Sequence, residues 1–514
     1  MKKNNIIKGK LSIVSVLILI MTMINSCSES ELDLQPLNSM DESLVFSTAA
    51  NVDLSVTGVY STAQSGVFGL AYVEQNDMRG EDMVNTASFY QITYTTTYDG
   101  GTGSNVNYWV NNYEMINKAN IIIEGVTKAA NSGVITTAVR DNYLGEMYFL
   151  RALAHLELLK HFSQPYNFTA DASHPGIPYR VTAITDSGSF EEALKVGRGT
   201  VAETYTKILA DLNMAENLTV SKSARTGNGK ITRATKEAAI ALKVRVYLNM
   251  RDWTKVLSEG AKLNGAYSLT ASPGQPFVIG GNYSNTESVF SIENSANTNP
   301  GVNGALAAIY NNRSLVCISP IIWRNPRWMA DDKRREETAM VRTNPSGVKF
   351  VNKYKDVINL SDGVPIIRYA EVLLSMAEAD ARLGNTAKAI SELNQVRNRS
   401  LANVTAQQYT SASFANVTSL ADAIITERRI EFIGEGMRWG DIHRLLYDDL
   451  VPTPGIPAKM ANAMPAGSTF KLGSPYTGPL TDIIPKTNFK ILWPIPNIEV
   501  INNPTLAAQQ NPGW

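Results

Sequence analysis

Residues 369–399 read YAEVLLSMAEADARLGNTAKAISELNQVRNR, and this stretch decides the fold. Ala370, Leu373, Leu374, Ala377 and Ala381 recur at the three- and four-residue spacing of one helix face. Gly384 supplies the stop. A second, shorter helix is expected from Thr386 to Arg399, with Ala387, Ala389, Ile390 and Leu393 on its inner side. The unit is therefore helix, tight turn, helix. Small residues where the two cross let the backbones approach closely, which is the logic of tetratricopeptide-like pairs.

Moving outward, the same grammar recurs. Ala234, Ala238, Ala241, Val244 and Leu248 predict a helix over 234–250, a break at Arg251-Asp252, and a partner over 253–264 with the small Ala261 at the crossing. Tyr143, Met147, Leu150, Ala154 and Leu158 form another stripe. Leu144, Tyr148, Leu153 and Leu159 make the other faces of that helix apolar too, so it should be well buried. Tyr205, Ile208, Leu209 and Leu212 follow Thr200 and Glu203, which have capping-box spacing. Ala421, Ile424, Ile425, Arg428 and Phe432 predict a further helix. Spacing between pairs is irregular, so a simple solenoid is not expected. The expected fold class is mostly α, a tetratricopeptide-like helix-pair scaffold with long loop and short-strand insertions.

Those insertions are residues 61–110 and 266–365, rich in Gly, Asn, Ser, Thr and Tyr, with a strand-like run at Ser288-Val289-Phe290-Ser291-Ile292. Residues 451–490 are rich in Pro and Gly, as a long ordered loop would be. Long loops on a rigid scaffold are where binding usually sits.

Composition narrows the chemistry. The 514 residues carry 47 Lys plus Arg against 47 Asp plus Glu, without the basic excess that a nucleic-acid binder uses to displace counterions. At 44% hydrophobic and 18% charged residues, the chain is too apolar to be disordered. Two cysteines exclude a disulfide scaffold and a Cys-rich metal module. Four histidines leave little room for a histidine metal site, and no Asp-x-Asp-x-Asp-Gly calcium loop occurs. Gly227-Asn228-Gly229-Lys230 lacks the P-loop pattern, because Ala224 and Ile231 stand where Gly and Ser or Thr are required. No Gly-x-Ser-x-Gly elbow and no His-Glu-x-x-His run is present. Cys317, between Val316 and Ile318, reads as a buried, inert thiol. His155 and His161 read as core or capping residues of a packed helix. The dense charge run from Glu427 to Arg444 reads as an internally paired network rather than a ligand site. No catalytic residue, cofactor or metal is expected.

The N-terminus reads as an address. Lys2, Lys3, Lys8 and Lys10 precede an uncharged run of 14 residues, Leu11 to Ile24, which suits a signal peptide and is short for a span of about 20 residues. Ile24-Asn25-Ser26-Cys27 resembles a bacterial lipobox, with Asn25 departing from the usual small residue. Residues 1–26 are the expected lipoprotein signal peptide, Cys27 the lipidated residue, 27–40 a tether, and 41–514 the folded domain. Plain secretion with a free Cys27 is the alternative. Ser28-Glu29-Ser30-Glu31-Leu32-Asp33 resembles the surface-export signal of lipoproteins in the Bacteroidetes, a solvated tether being the other reading.

Further motifs run in order along the chain: Trp109-x-x-x-Tyr113-x-x-Ile116-x-x-Ala119-Asn120; Arg151-Ala152-Leu153-Ala154-His155-Leu156; the 369–399 pair; Glu427-Arg428-Arg429-Ile430-Glu431-Phe432; Gly436-Met437-Arg438-Trp439-Gly440-Asp441; and Trp493-Pro494-Ile495-Pro496 before a terminal Asn511-Pro512-Gly513-Trp514. Each is weak alone. Together, over essentially the whole chain after the leader, they resemble the SusD/RagB family. The resemblance implies a one-domain, mostly α protein with four tetratricopeptide-like helix pairs. It implies an outer-membrane lipoprotein facing outward, partnered by a SusC-like TonB-dependent transporter. The usual ligand is an oligosaccharide, and some relatives take peptides.

Sugar binding needs aromatic faces for the C–H face of a pyranose and polar side chains for its hydroxyls. The first insertion supplies Phe68, Tyr72, Phe89, Tyr90, Tyr94 and Tyr98, with Asp77, Arg79, Asp82 and Asn105 among them. The second supplies Tyr283, Tyr310, Trp323 and Trp328, with Arg324, Asn325 and Arg327. By the resemblance, ligands bind on a face built from these two regions. The expected ligand residues are Asp77, Arg79, Tyr90, Tyr94, Tyr98, Asn105, Tyr283, Trp323 and Trp328. Even spacing would also let Tyr90, Tyr94 and Tyr98 share one face of a strand. Trp109 matches a structural tryptophan of the family. The reading is a non-enzymatic oligosaccharide-binding lipoprotein that delivers to a SusC-like transporter. Its alternatives are a RagB-like peptide-uptake lipoprotein, a surface glycoside hydrolase, and a helical scaffold or adhesin.

Overall fold

The computed structural model describes residues 42–277 and 285–514. The signal peptide, the tether, Cys27 and Tyr283 lie outside the described residues. The principal helices of the described residues are α1 Ala49–Ser65, α2 Gly103–Asn131, α3 Thr137–Phe162, α4 Val201–Leu218, α5 Lys236–Met250, α6 Trp253–Ala261, α7 Tyr369–Arg382, α8 Thr386–Ser400 and α9 Val417–Glu431. Each packs on the next in a continuous stack, α2 on α3, α4 on α5, α5 on α6 and α7 on α8, with α9 closing against α7.

The starts are chemically specified. Thr136 caps α3 by accepting from Val139 N, and Thr235 caps α5 by accepting from Ala238 N. Thr200 with Glu203 forms the expected capping box of α4, and Asn416 with Ser419 forms one on α9. The turn between α5 and α6 passes through Arg251 in the left-handed region, φ 62°, and that between α7 and α8 through Gly384, φ 83°. Ala261 does not sit at the α5–α6 crossing as expected, and the small residue at a close approach is Gly260, where α6 meets α7. A methyl group on Gly260 would sit 2.4 Å from Met376 Sδ, whereas Ala261 faces solvent.

Short antiparallel ladders hang on this stack. β1 Met83–Asn85 pairs with β3 Val316–Ile318, β2 Ser288–Ile292 with β6 Val364–Arg368, and β4 Val341–Thr343 with β5 Lys349–Val351. The expected strand at 288–292 is present, with Ser288 opposite Arg368. The first insertion is less loop-like than its composition suggests. A π-helical turn at Val67–Ala71 leads into a buried helix at Tyr72–Met78. Its apolar residues Tyr72, Val73 and Met78 hold it in the core, which overrides the loop-like neighbourhood.

The run from Glu427 to Arg444 is a buried ion network, as its sequence suggested. Arg368 reaches Glu431 Oε1 at 3.0 Å and Glu435 Oε2 at 2.8 Å, and also pairs with Glu287. Arg334 reaches Glu427 and Glu431 at 2.6 and 3.1 Å. Arg428 and Arg444 share Asp441 at 2.9 and 2.8 Å. Burial alone would raise the Glu431 carboxyl, but the Arg399, Arg368 and Arg334 guanidinium groups outweigh it and hold it far below the usual carboxylate range. His155, His161 and Cys317 are all buried, and burial raises the Cys317 thiol.

Candidate functional site

The aromatic residues expected to stack on sugar face inward. Residues Gln91–Tyr94 form one helical turn, followed by Thr96 at φ 56°. The segment is therefore not a strand: Tyr90 and Tyr94 bracket the helical turn, Tyr98 follows it in non-helical chain, and all three rings are buried. Tyr94 OH donates to Met460 O at 2.8 Å, and Tyr98 OH donates to Lys490 O. These rings bolt the first insertion to the C-terminal segment. Trp323 donates from Nε1 to Phe470 O at 3.0 Å and meets Trp328 edge-on at 5.3 Å. Arg335 lies over both indoles, at 4.4 and 4.2 Å. Both tryptophans are buried, so neither offers a face to a ligand.

The polar residues of that set are likewise internal. Asp77 accepts from Tyr310 OH at 2.8 Å and from Gly436 N at 3.1 Å. Burial pushes its carboxyl up to about 8 despite those two donors. Arg79 is buried and donates to Ile491 O at 2.5 Å. Asn105 is buried in the first turn of α2, its Nδ2 donating to Asp99 O at 3.2 Å. The expected direct roles of Asp77, Arg79, Tyr90, Tyr94, Tyr98, Asn105, Trp323 and Trp328 in gripping a ligand are therefore corrected to structural ones. In each case a pairing partner or the core has claimed the group.

The two insertions nevertheless meet at an exposed face. Thr86 N donates to Leu315 O at 2.9 Å and Thr86 Oγ1 to Ser314 O at 2.9 Å, extending the β1–β3 ladder outward. Just beyond, the Phe89 ring is 54% exposed, and the Arg313 guanidinium lies 4.9 Å from its centre. Arg313 Nη1 donates to Asn303 Oδ1 at 2.6 Å and to Val302 O at 2.9 Å, which fixes the guanidinium under the ring. On the same two segments Ser88, Gln91, Thr95, Asn303 and Asn312 are exposed. An apolar ring with hydroxyl and amide groups beside it is the combination that sugar binding asks for. Phe89 was among the aromatics of the first insertion but outside the expected ligand set. Arg313 and Asn303 were missed altogether. The available signal was that Phe89 falls off the four-residue stripe of its tyrosine neighbours, and that Arg313 sits in the polar run Asn311-Asn312-Arg313-Ser314.

The same two insertions also share a groove of about 600 Å³, lined by Ser61 and Gln64 at the end of α1 and by Glu293 and Thr298 after β2, together with the turn at 228–233. None of the expected ligand residues among the described residues lines it. Among the described residues, no group of three or more His, Cys, Asp or Glu side chains could hold a metal ion, and no helix is long and apolar enough to cross a membrane.

A stack of paired helices holding out such a loop face is the architecture of a binding scaffold, and comparison with known proteins agrees. Residues 324–514 match the profile of the SusD family, and residues 32–248 match that of a family described as starch-binding, associating with outer membrane. Two SusD-like proteins of Formosa agariphila are 24% identical over 84% of this chain and 91% of their own, and 22% identical over 98% and 99%. Among solved structures, a SusD superfamily protein of Bacteroides fragilis superposes with a TM-score of 0.73 at 27% identity, covering 90% of this chain and 99% of its own. One from Bacteroides thetaiotaomicron gives 0.72 at 22% identity, over 90% and 100%. The chain belongs to the SusD/RagB family.

Proposed function

We propose that this protein is a non-enzymatic, carbohydrate-binding lipoprotein of the outer membrane. It captures oligosaccharides outside the cell and hands them to a SusC-like TonB-dependent transporter. Cys27 carries the lipid anchor. The observation that carries the reading is the exposed Phe89 ring backed by Arg313 at 4.9 Å, where the two insertions meet. The ring takes the C–H face of a pyranose, and Asn303, Asn312 and Gln91 take its hydroxyls. A contact of this size gives modest, reversible affinity, as hand-over to a transporter requires. The family profile described as starch-binding and associating with outer membrane supports both the ligand class and the location. A SusD-like protein of Bacteroides vulgatus with a TM-score of 0.64 and 21% identity, over 77% of this chain and 83% of its own, is described as carbohydrate binding. Isothermal calorimetry against a glycan panel tests the reading. Binding of oligosaccharides supports it. Binding of peptides alone leaves uptake standing and removes the sugar.

A further inference from the structure

The groove between α1, the short helix Gly229–Thr232 and the turn after β2 is unaccounted for by the Phe89 face. Thr57 and Ser61 lie one turn apart on α1 and are both exposed. Among the described residues, neither of their hydroxyls nor that of Thr298 has a hydrogen-bond partner. The opposite wall is already held in place. Gln64 Nε2 donates to Glu293 O at 2.6 Å, Asn294 Oδ1 at 2.8 Å and Thr298 O at 3.1 Å. Such a wall costs a ligand little ordering.

Charge decides the ligand class. The one guanidinium in the lining, Arg233, pairs with the buried Glu146 at 2.6 Å, which it shares with Arg225 at 2.8 Å, and with Asp53 at 4.0 Å, so that two guanidinium groups face two carboxylates; Arg233 also stacks over Tyr60 at 4.9 Å. Glu293 adds an exposed carboxylate at the rim. The groove lining therefore offers free hydroxyls, the edge of a tyrosine ring whose face Arg233 covers, and no uncompensated cation. That suits a neutral polyol and disfavours a uronate or sulfated sugar.

Position adds a second constraint. Thr298 in the groove wall is five residues from Asn303, which belongs to the Phe89 face. Their Cα atoms are therefore at most about 18 Å apart. We propose that the groove is a second subsite for neutral oligosaccharide, and that one sugar chain spans both the groove and the Phe89 face. This rests on the carbohydrate reading above and adds to it a length requirement and a charge preference.

The test is calorimetry on the full mature chain with neutral malto-, cello-, xylo- and manno-oligosaccharides of about two to eight residues, and with oligogalacturonate as the acidic probe. Affinity is expected to rise roughly tenfold or more between the short and long members of the neutral series that binds. Ser61→Trp, which fills the groove from an exposed position, should abolish that rise. Phe89→Ala should weaken every length. Thr298→Trp provides a second plug, and melting curves confirm that each variant is folded. A length dependence that survives both plugs, or tighter binding of the acidic series, overturns the second subsite while leaving the Phe89 reading intact. Absence of binding to any glycan overturns both.

Discussion

The guanidinium of Arg79 lies 3.5 Å from the centre of the Trp439 ring, and no carboxylate among the described residues pairs with it. Tyr98 and Trp493 complete an aromatic box at 5.9 and 5.3 Å. Burial lowers this guanidinium to about 10, still far above neutrality, so a full cation is stored in the core on ring faces and on the carbonyl of Ile491. Arg79→Lys keeps the charge but loses the planar stack and the fork of donors. It should cost about 2–4 kcal/mol in urea unfolding. Where the variant remains folded, its glycan affinity should match the parent's. A large loss of affinity at unchanged stability would restore Arg79 to the ligand site.

Glu74 presents the opposite problem. It is wholly buried, and neither carboxylate oxygen has a hydrogen-bond partner among the described residues. Burial raises its pKa well above the ordinary value. A group whose folded pKa is raised gives up stability as pH climbs past its unfolded value, because only the folded state must hold the proton. Glu74→Leu removes both the orphaned oxygens and the titration. It should raise stability by about 1–3 kcal/mol, with a larger gain at pH 8 than at pH 5. Thermal melts of both proteins across that range check it.

Asp77 shares that sign and has a defined window. Its carboxyl is pushed up to about 8 by burial, so its contribution to stability falls between the unfolded value near 4 and pH 8. Asp77→Asn stays neutral throughout, and its amide group still faces the Tyr310 hydroxyl. Its stability should match the parent's near pH 4 and fall less steeply up to pH 8. Parallel slopes for the two proteins over that interval would show that Asp77 is ionised in the fold.

The buried network has the reverse pH dependence. Glu431 is held far down by Arg399, Arg368 and Arg334, and Asp441 by Arg428 and Arg444, against the upward push of burial. Depressed carboxylates give stability that is present above their unfolded value and lost as pH falls below it. The protein should therefore unfold in acid below about pH 4. Arg368→Met leaves Glu287, Glu431 and Glu435 short of a shared cation. It should cost about 3–5 kcal/mol or prevent folding, which denaturant titration and soluble yield both report.

The helix pairs were legible because their information is local. The stripe of Ala370, Leu373, Leu374 and Ala377 and the stop at Gly384 lie within one short stretch, and α7 and α8 form where they predict. The binding face was not legible in the same way. Which way a ring points depends on partners remote in sequence: Tyr94 finds Met460 at a separation of 366 residues, and Tyr98 finds Lys490 at 392. Counting aromatics in a loop pointed to the two insertions but not to Phe89, the ring that stayed outside. Tyr90, Tyr94 and Tyr98 looked like a platform because they are large and regularly spaced, but the spacing carries no record of the C-terminal segment that packs over Tyr94 and Tyr98.

Phe89 carries the decisive test of the face itself. Phe89 is 54% exposed, and its ring meets the core only through a tilted contact with Tyr90 at 6.3 Å between centres. Phe89→Ala should therefore leave thermal stability within about 0.5 kcal/mol, as surface substitutions do. If the ring is the stacking platform, the same change should weaken oligosaccharide binding roughly tenfold, the loss expected when the central aromatic of a small contact is removed. Arg313→Met separates the two parts of the face. It removes the donors to Asn303 and Val302 that fix the guanidinium beneath the ring, so binding should fall by a smaller factor and Phe89→Tyr should retain most of it. The ordering of these three variants in calorimetry distinguishes stacking from a charge contact: if Arg313→Met costs more than Phe89→Ala, the guanidinium rather than the ring holds the ligand.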